Sequence, residues 1–160
     1  MSYYDRKGTV VRLDGSRHFH TQQDIDHETE VAALASKAWG CEFRRFGTLT
    51  PIDWYAIREG RMSGLAELKS RHHSADKYPN AWLNVRKWLA LMMGAAGLGV
   101  PAVYIVRFTD QVLWVPVAEI DGTMHRMAGC THIVKSVNDI EPIIYIPLSL
   151  FRPLPQITEE

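Results

Sequence analysis

Two apolar, strand-like segments carry charged side chains at a spacing that could support chemistry. Asp53 follows Pro51-Ile52, and Glu67 and Lys69 stand in the apolar run of residues 65–69. A charge inside an apolar strand is costly unless it is paired or binds a metal ion. The pattern therefore predicts a charged site on this pair of segments.

The turn between the segments fixes how they pair. Antiparallel pairing about Glu59-Gly60-Arg61 puts Asp53 opposite Glu67, and opposite residues share a face with Cβ atoms about 5 Å apart. Lys69 lies two residues beyond Glu67 and so on the same face. Two adjacent carboxylates repel, and a divalent cation such as Mg²⁺ or Mn²⁺ removes that penalty. With a lysine that orients water or stabilises a phosphate transition state, the group suits phosphodiester cleavage.

Hydrophobic periodicity predicts the elements that position these residues. Residues 26–39 and 80–96 have helical spacing, and six further segments have strand patterns. The predicted strands are 41–46, 52–58, 62–70, 102–108, 112–117 and 143–146. The order αβββαβ predicts an α/β fold, with a mixed central sheet flanked by helices.

Composition bounds the class of protein. The chain has 160 residues, 46% of them hydrophobic and 22% charged, with a net charge of zero. These values predict one globular domain and exclude a disordered or histone-like chain. The two cysteines form no zinc-binding pair and no disulfide framework, so we expect a reducing, cytoplasmic setting.

One uncharged stretch, Trp88 to Val106, has the length of a membrane span. Gly94, Gly97 and Pro101 interrupt it, which favours a helix, a stop and a buried strand instead. We therefore expect no membrane partner.

Positive charge is concentrated around the predicted site. Residues 44–87 contain nine Lys or Arg and four Asp or Glu, although the whole chain is neutral. A basic surface around carboxylates suits a polyanion such as DNA. The loop after the predicted third strand could contact backbone phosphates through Arg71, His72, Lys77 and Tyr78.

The Pro51-Ile52-Asp53 and Glu67-Leu68-Lys69 elements resemble the PD-(D/E)XK nucleases, especially small phage and Holliday-junction-resolvase-like members. The resemblance covers residues 26–108 and is looser to 151. It implies a restriction-endonuclease-like core at 26–151, between an N-terminal arm (1–25) and a C-terminal tail (152–160). It also implies a metal-dependent DNA nuclease in which Asp53, Glu67 and the Leu68 carbonyl bind Mg²⁺ or Mn²⁺ and Lys69 is catalytic.

The resemblance implies two further site residues. Members of the family often add a metal-binding Glu from the first helix, and here Glu28 and Glu30 both qualify. Glu28 lies nearer the buried stripe of the helix. Many members also place a Gln or Lys of the second helix near the scissile phosphate. Lys87 fits that position, although an ideal helix would turn it away from Val85 and Leu89.

Several alternatives stay open from the sequence. Asp53 and Glu67 could be structural charges paired with Lys69. The chain could be a ribonuclease, or a non-catalytic nucleic-acid-binding or assembly protein on a nuclease-like fold. Its small size favours a homodimer on duplex or branched DNA, in a host cytoplasm if it is phage-encoded. The histidines follow no known metal pattern: His18, His20, His27, His72 and His73.

Overall fold

A six-stranded mixed sheet packs against two helices in the computed structural model, which describes residues 3–4, 10–11, 22–47, 50–129 and 140–155. The helices are α1 (Gln22–Trp39) and α2 (Val85–Leu98). The strands are β1 (Tyr3–Tyr4), β2 (Val10–Val11), β3 (Glu42–Arg45), β4 (Trp54–Arg58), β5 (Arg61–Ser70), β6 (Asn80–Asn84), β7 (Ala102–Arg107), β8 (Val112–Pro116), β9 (His125–Gly129), β10 (Ile140–Pro147) and β11 (Arg152–Pro153).

The main sheet has the strand order β11-β8-β7-β5-β4-β3. β5 and β7 are parallel, and the other neighbours are antiparallel. Two parallel neighbours need a crossover connection, and the chain segment that contains α2 provides it. The mixed α/β fold and the αβββαβ order of its core are confirmed, with β6 added before α2.

The two faces of β5 pack against different helices. Ala66 and Leu68 lie in a buried cluster with Val31 of α1, whereas Leu65 lies in a second cluster with Leu91 of α2. Successive side chains of a strand point to opposite faces. Glu67 therefore lies on the face that α2 covers.

The hairpin between β4 and β5 has the predicted register beyond a β-bulge at Ala56/Ile57, although its turn has two residues instead of the predicted three. Glu59 and Gly60 both have positive φ, 51° and 75°, as the tightest hairpin turns require. Trp54 pairs with Ala66, so the next position along the ladder brings Asp53 beside Glu67. The strand begins at Trp54, and Asp53 immediately precedes it.

The helix predicted at 80–96 is wrong over its first five residues. Asn80–Asn84 form β6, which pairs with β10 and alternates a buried Leu83 with an exposed Trp82. The Asn84 side chain accepts a hydrogen bond from the Arg86 N–H at 2.7 Å, and α2 begins there. Within α2, Leu91 is fully buried whereas Met93 is 73% exposed, so the apolar residues of this helix are only partly covered.

Other elements differ from the prediction in where they begin or end. α1 begins at Gln22 instead of residue 26, and β10 is twice the predicted length. The predicted C-terminal tail starts with a strand, since Arg152 and Pro153 pair with β8. Most of the predicted N-terminal arm (1–25) lies outside the described residues.

The uncharged stretch divides as expected. α2 ends at Gly99, whose φ of 65° is left-handed, and β7 follows. Among the described residues, no helix has the length and apolar character needed to cross a bilayer.

We expect Gly122→Ala to destabilise the fold by about 1–3 kcal/mol, the usual cost of overpacking. A Cβ at Gly122 would fall well inside van der Waals contact of the rigid Trp88 indole. Gly97, in α2, is the control because a Cβ there meets nothing within 4 Å. Gly97→Ala should stabilise the helix by up to about 1 kcal/mol. Urea denaturation measures both, and equal effects would contradict the packing of Gly122.

Candidate active site

Two carboxylates are buried side by side in the centre of the fold. Asp53 is 8% exposed and Glu67 is 1% exposed. Glu67 belongs to β5, which has neighbours on both sides, and the backbone of Asp53 is held by β3–β4 contacts, with Phe46 N–H donating to its carbonyl at 2.9 Å. The two carboxyl groups are close enough for the charge of Asp53 to act on Glu67. The sequence-based pairing of these residues is therefore reproduced in space.

Two lysines approach the pair from different elements. Lys69, two residues along β5, places Nζ 3.1 Å from Glu67 Oε1. Lys87 of α2 places Nζ 2.5 Å from Asp53 Oδ1 and 3.3 Å from Glu67 Oε2. Two positive charges thus face two negative charges with little access to water.

The environment moves the pKa of each group. Burial raises the pKa of Asp53, but the charges of Lys87 and Lys69 outweigh it and hold the pKa below its ordinary value. Burial dominates at Glu67, and its pKa is raised despite the same lysines. At Lys69, burial opposes the charged form, but the carboxylates of Glu67, Glu28 and Asp53 prevail and raise the pKa. Lys69 therefore stays an ammonium at neutral pH.

The two candidate acids of α1 lie in different places. Glu28 is 4% exposed, with its carboxylate 3.9 Å from Lys69 Nζ and 3.6 Å from the Arg45 guanidinium. Glu30 is exposed and forms an ion pair with Arg107. Only Glu28 is thus next to the buried carboxylates, and it contacts them through Lys69.

The donor set fits one divalent cation. Asp53 Oδ2 is buried without a hydrogen-bond partner in the described structure, as expected of an oxygen that could ligate a cation. The described residues contain no group of three or more His, Cys, Asp or Glu placed to hold a metal, so Glu28 does not complete a triad. Mg²⁺ is commonly held by one or two carboxylates, with water and phosphate supplying the rest. Asp53 and Glu67 match that arrangement.

The sequence matches the family described as "Phage putative PDDEXK endonuclease" over residues 16–154. The chain belongs to this family. The structure is similar to that of Hjc, a Holliday junction resolvase from the archaeal hyperthermophile Archaeoglobus fulgidus, with a TM-score of 0.55 and 16% identity over 81% of this chain and 87% of that chain. That likeness shows the restriction-endonuclease-like fold. No curated protein matches the sequence.

The loop after β5 presents several of the predicted nucleic-acid contacts of this PDDEXK chain. Tyr78 is 51% exposed, and Lys77 lies over its ring at 5.3 Å. His72 is exposed, and Arg71 is partly buried. Lys87, predicted with this group, lies instead between the carboxylates. Leu68 packs its side chain in the α1 cluster.

The histidines that the structure describes do not converge on a metal site. His18 and His20 lie outside the described residues. His27 and His72 make an edge-on ring contact at 5.6 Å. Among the described residues this contact brings two histidines together and no third metal-ligating side chain.

Two residues near the PDDEXK site were not predicted for it. Arg45 contacts Glu28 and stacks over Trp54 at 5.5 Å. Tyr104 pairs with Glu67 across β5 and β7, is fully buried, and donates from its hydroxyl to the Trp82 carbonyl at 2.8 Å. The alternation of side chains along β3 could have predicted that Arg45 points toward the site. Nothing in the sequence near Tyr104 predicts its position beside Glu67.

We expect opposite stability effects from neutralising the two carboxylates. Because the pKa of Glu67 is raised, the fold favours its neutral form, and Glu67→Gln should stabilise the metal-free protein at pH above that pKa. As the pH falls through the raised pKa, the wild type gains a proton there and the difference shrinks. The pKa of Asp53 is lowered, so Asp53→Asn should cost about 1–3 kcal/mol, as for a lost charged hydrogen bond.

Urea denaturation in EDTA across a pH series measures both effects. The two variants are each other's control, because they remove one charge from the same cluster without changing side-chain size. A loss of stability in Glu67→Gln that grows with pH would contradict the assignment.

Proposed function

We propose that the protein is a divalent-metal-dependent nuclease that hydrolyses phosphodiester bonds in DNA. The observation that supports this most is the buried Asp53–Glu67 pair with the Lys69 and Lys87 ammonium groups beside it. Membership of a PDDEXK endonuclease family supports nuclease activity.

Asp53 and Glu67 would hold Mg²⁺ or Mn²⁺, with the Leu68 carbonyl as a further ligand. A bound cation would polarise the scissile phosphate and lower the pKa of an attacking water. Glu28 would fix the Lys69 ammonium, 3.9 Å away, rather than bind the metal directly. Glu30 has no part in the site, since it is paired with Arg107 on the surface.

Lys69 acts as a hydrogen-bond donor and a fixed positive charge. Its raised pKa keeps it protonated, so it cannot take a proton from water at neutral pH. The ammonium instead orients the nucleophile and stabilises charge that develops on the phosphate oxygens. Lys87, whose ammonium contacts both carboxylates, offers a second donor to the same phosphate.

The substrate would be held by its backbone. The loop that follows β5 carries Arg71, His72, Lys77 and Tyr78 beside the strand that bears Glu67 and Lys69. Phosphate contacts of this kind position a nucleic acid without reading its sequence. For a duplex or branched substrate, we include a homodimer in the proposal, because one chain of 160 residues offers limited contact surface.

Cleavage should require each of Asp53, Glu67 and Lys69. We expect Asp53→Ala, Glu67→Ala and Lys69→Ala each to reduce cleavage at least about 100-fold, the scale on which electrostatic stabilisation acts. The assay uses single-stranded, duplex and branched DNA with Mg²⁺, Mn²⁺ or EDTA. Arg61→Ala is the control, because Arg61 is an exposed cation at the opposite end of β5.

Each outcome of that assay has a definite meaning. Cutting in EDTA would contradict metal dependence, and full activity of a variant would remove that residue from the mechanism. Cleavage of matched RNA in preference to DNA would make the protein a ribonuclease. Metal-independent binding with no cutting of any substrate, and no heat of Mg²⁺ or Mn²⁺ binding, would support a non-catalytic binding protein.

Loss of a phosphate contact should weaken binding without changing substrate preference. We expect Lys77→Ala to reduce DNA affinity similarly for all sequences and to lower the slope of log affinity against log salt by about one. Fluorescence anisotropy in EDTA at several salt concentrations measures the slope. Lys37→Ala, an exposed lysine in the last turn of α1, should leave it unchanged. A sequence-dependent loss would argue against a backbone contact.

A further inference from the structure

We propose that unpaired nucleotides adjoining the cleavage site stack on the outer face of the small sheet β6-β10-β9. This face, here called the stacking face, consists of Trp82, Tyr145 and Arg126. The inference rests on the proposed nuclease function and deepens it, since it names the substrate structure that the protein recognises.

Aromatic rings are displayed on this face rather than buried. Ala81 and Leu83 point into the core, so Trp82 between them points outward and is 45% exposed. Tyr145 lies directly opposite Trp82 in the β6–β10 ladder. Their ring centroids are 5.5 Å apart with an interplanar angle of 65°. Together the two rings form a partly exposed aromatic surface.

The charge beside the rings is positive. The exposed Arg126 places its guanidinium 5.7 Å from the Tyr145 ring centroid. Arg86 lies on the adjacent first turn of α2 and pairs with Glu141 of β10. Aromatic side chains interleaved with arginine bind single-stranded nucleic acid, because bases stack on the rings and phosphates meet the cations. Stacked bases in an intact duplex could not use such rings.

The stacking face is connected rigidly to the active site. Tyr104 is the β7 partner of Glu67, and its buried hydroxyl donates to the Trp82 carbonyl at 2.8 Å. The charge of Arg71 acts on the same hydroxyl and opposes the rise in the Tyr104 pKa that burial causes. Trp82 also precedes by five residues Lys87, which contacts Asp53. In this proposal, a strand that leaves the carboxylates passes Arg71 and then reaches Trp82.

The position of the stacking face relative to the active site predicts a preference for DNA that carries a single-stranded part. A blunt duplex would use only the basic loop, whereas a tailed or branched substrate would also use the stacking face. The contribution should be insensitive to base identity, because every base has a face that can stack.

Fluorescence anisotropy in EDTA tests the proposal. The probes are a blunt DNA hairpin, the same hairpin with an oligo(dT) tail, and the same hairpin with an oligo(U) tail, which separates DNA from RNA as the source of unpaired bases. We expect Trp82→Ala to weaken binding of the DNA-tailed hairpin roughly tenfold, the scale of one lost stacked base, and to leave blunt-hairpin binding within about twofold. Trp82→Phe should restore most of the loss. Met93→Ala, which removes an apolar side chain 73% exposed on α2, is the control.

Three results would overturn the proposal. The first is that Trp82→Ala weakens binding of the blunt and tailed hairpins equally. The second is that it weakens binding of neither hairpin. The third is that binding is unchanged but self-association is lost in light scattering, which would make the face a protein contact. Circular dichroism melting of each variant verifies folding. The binding test contains no metal and no cleavage step. A protein that never cuts could thus still show the tail effect, and one that cuts could lack it.

Discussion

Asp53 and Glu67 can share one buried face only because two ammonium groups reach them. Each carboxylate loses its hydration on burial, and their mutual repulsion adds to that cost. Lys69 comes from the same strand as Glu67, but Lys87 comes from α2. The site therefore forms only when the β4–β5 hairpin and α2 are both in place. A cation bound between the carboxylates would have the same compensating effect as these lysines, which is why this cluster is suited to metal binding.

The hairpin could be predicted because its determinants are local. Positive φ at Glu59 and Gly60 fixes a two-residue turn that pairs Arg58 with Arg61, and a bulge at Ala56/Ile57 then shifts the register by one residue, so that Asp53 lies beside Glu67. The start of α2 could not be predicted in that way. Residues 80–84 form a strand because β10 pairs with them, and β10 lies some sixty residues further along the chain. No periodicity within a short window reports a partner so distant in sequence.

The contacts that side chains make were harder to predict than the helices and strands that carry them. Lys87 is in the first turn of a helix that begins at Val85, so its long side chain can extend past the end of the helix to Asp53. A helix that began at residue 80 would place a further turn where this side chain now extends. Glu28 and Glu30 are separated only by how α1 lies on the sheet: one contacts Lys69 and the other Arg107. Helix orientation is a tertiary property that charge spacing does not encode.

The distribution of charge gives each part of the surface a different role. The basic loop after β5 can bind any nucleic-acid backbone, and such contacts supply affinity without selecting a substrate. In the proposed mechanism, the buried cluster would perform the same chemistry on any phosphodiester that reaches it. Neither feature distinguishes a blunt duplex from a branched one. The exposed Trp82 and Tyr145 rings do, because they offer stacking only to bases that are already unpaired. Selection by DNA structure would then come from β6 and β10, the strands that lie outside the αβββαβ core. The catalytic core and the surface that selects the substrate can thus change independently, joined through the Tyr104 hydroxyl and the first turn of α2.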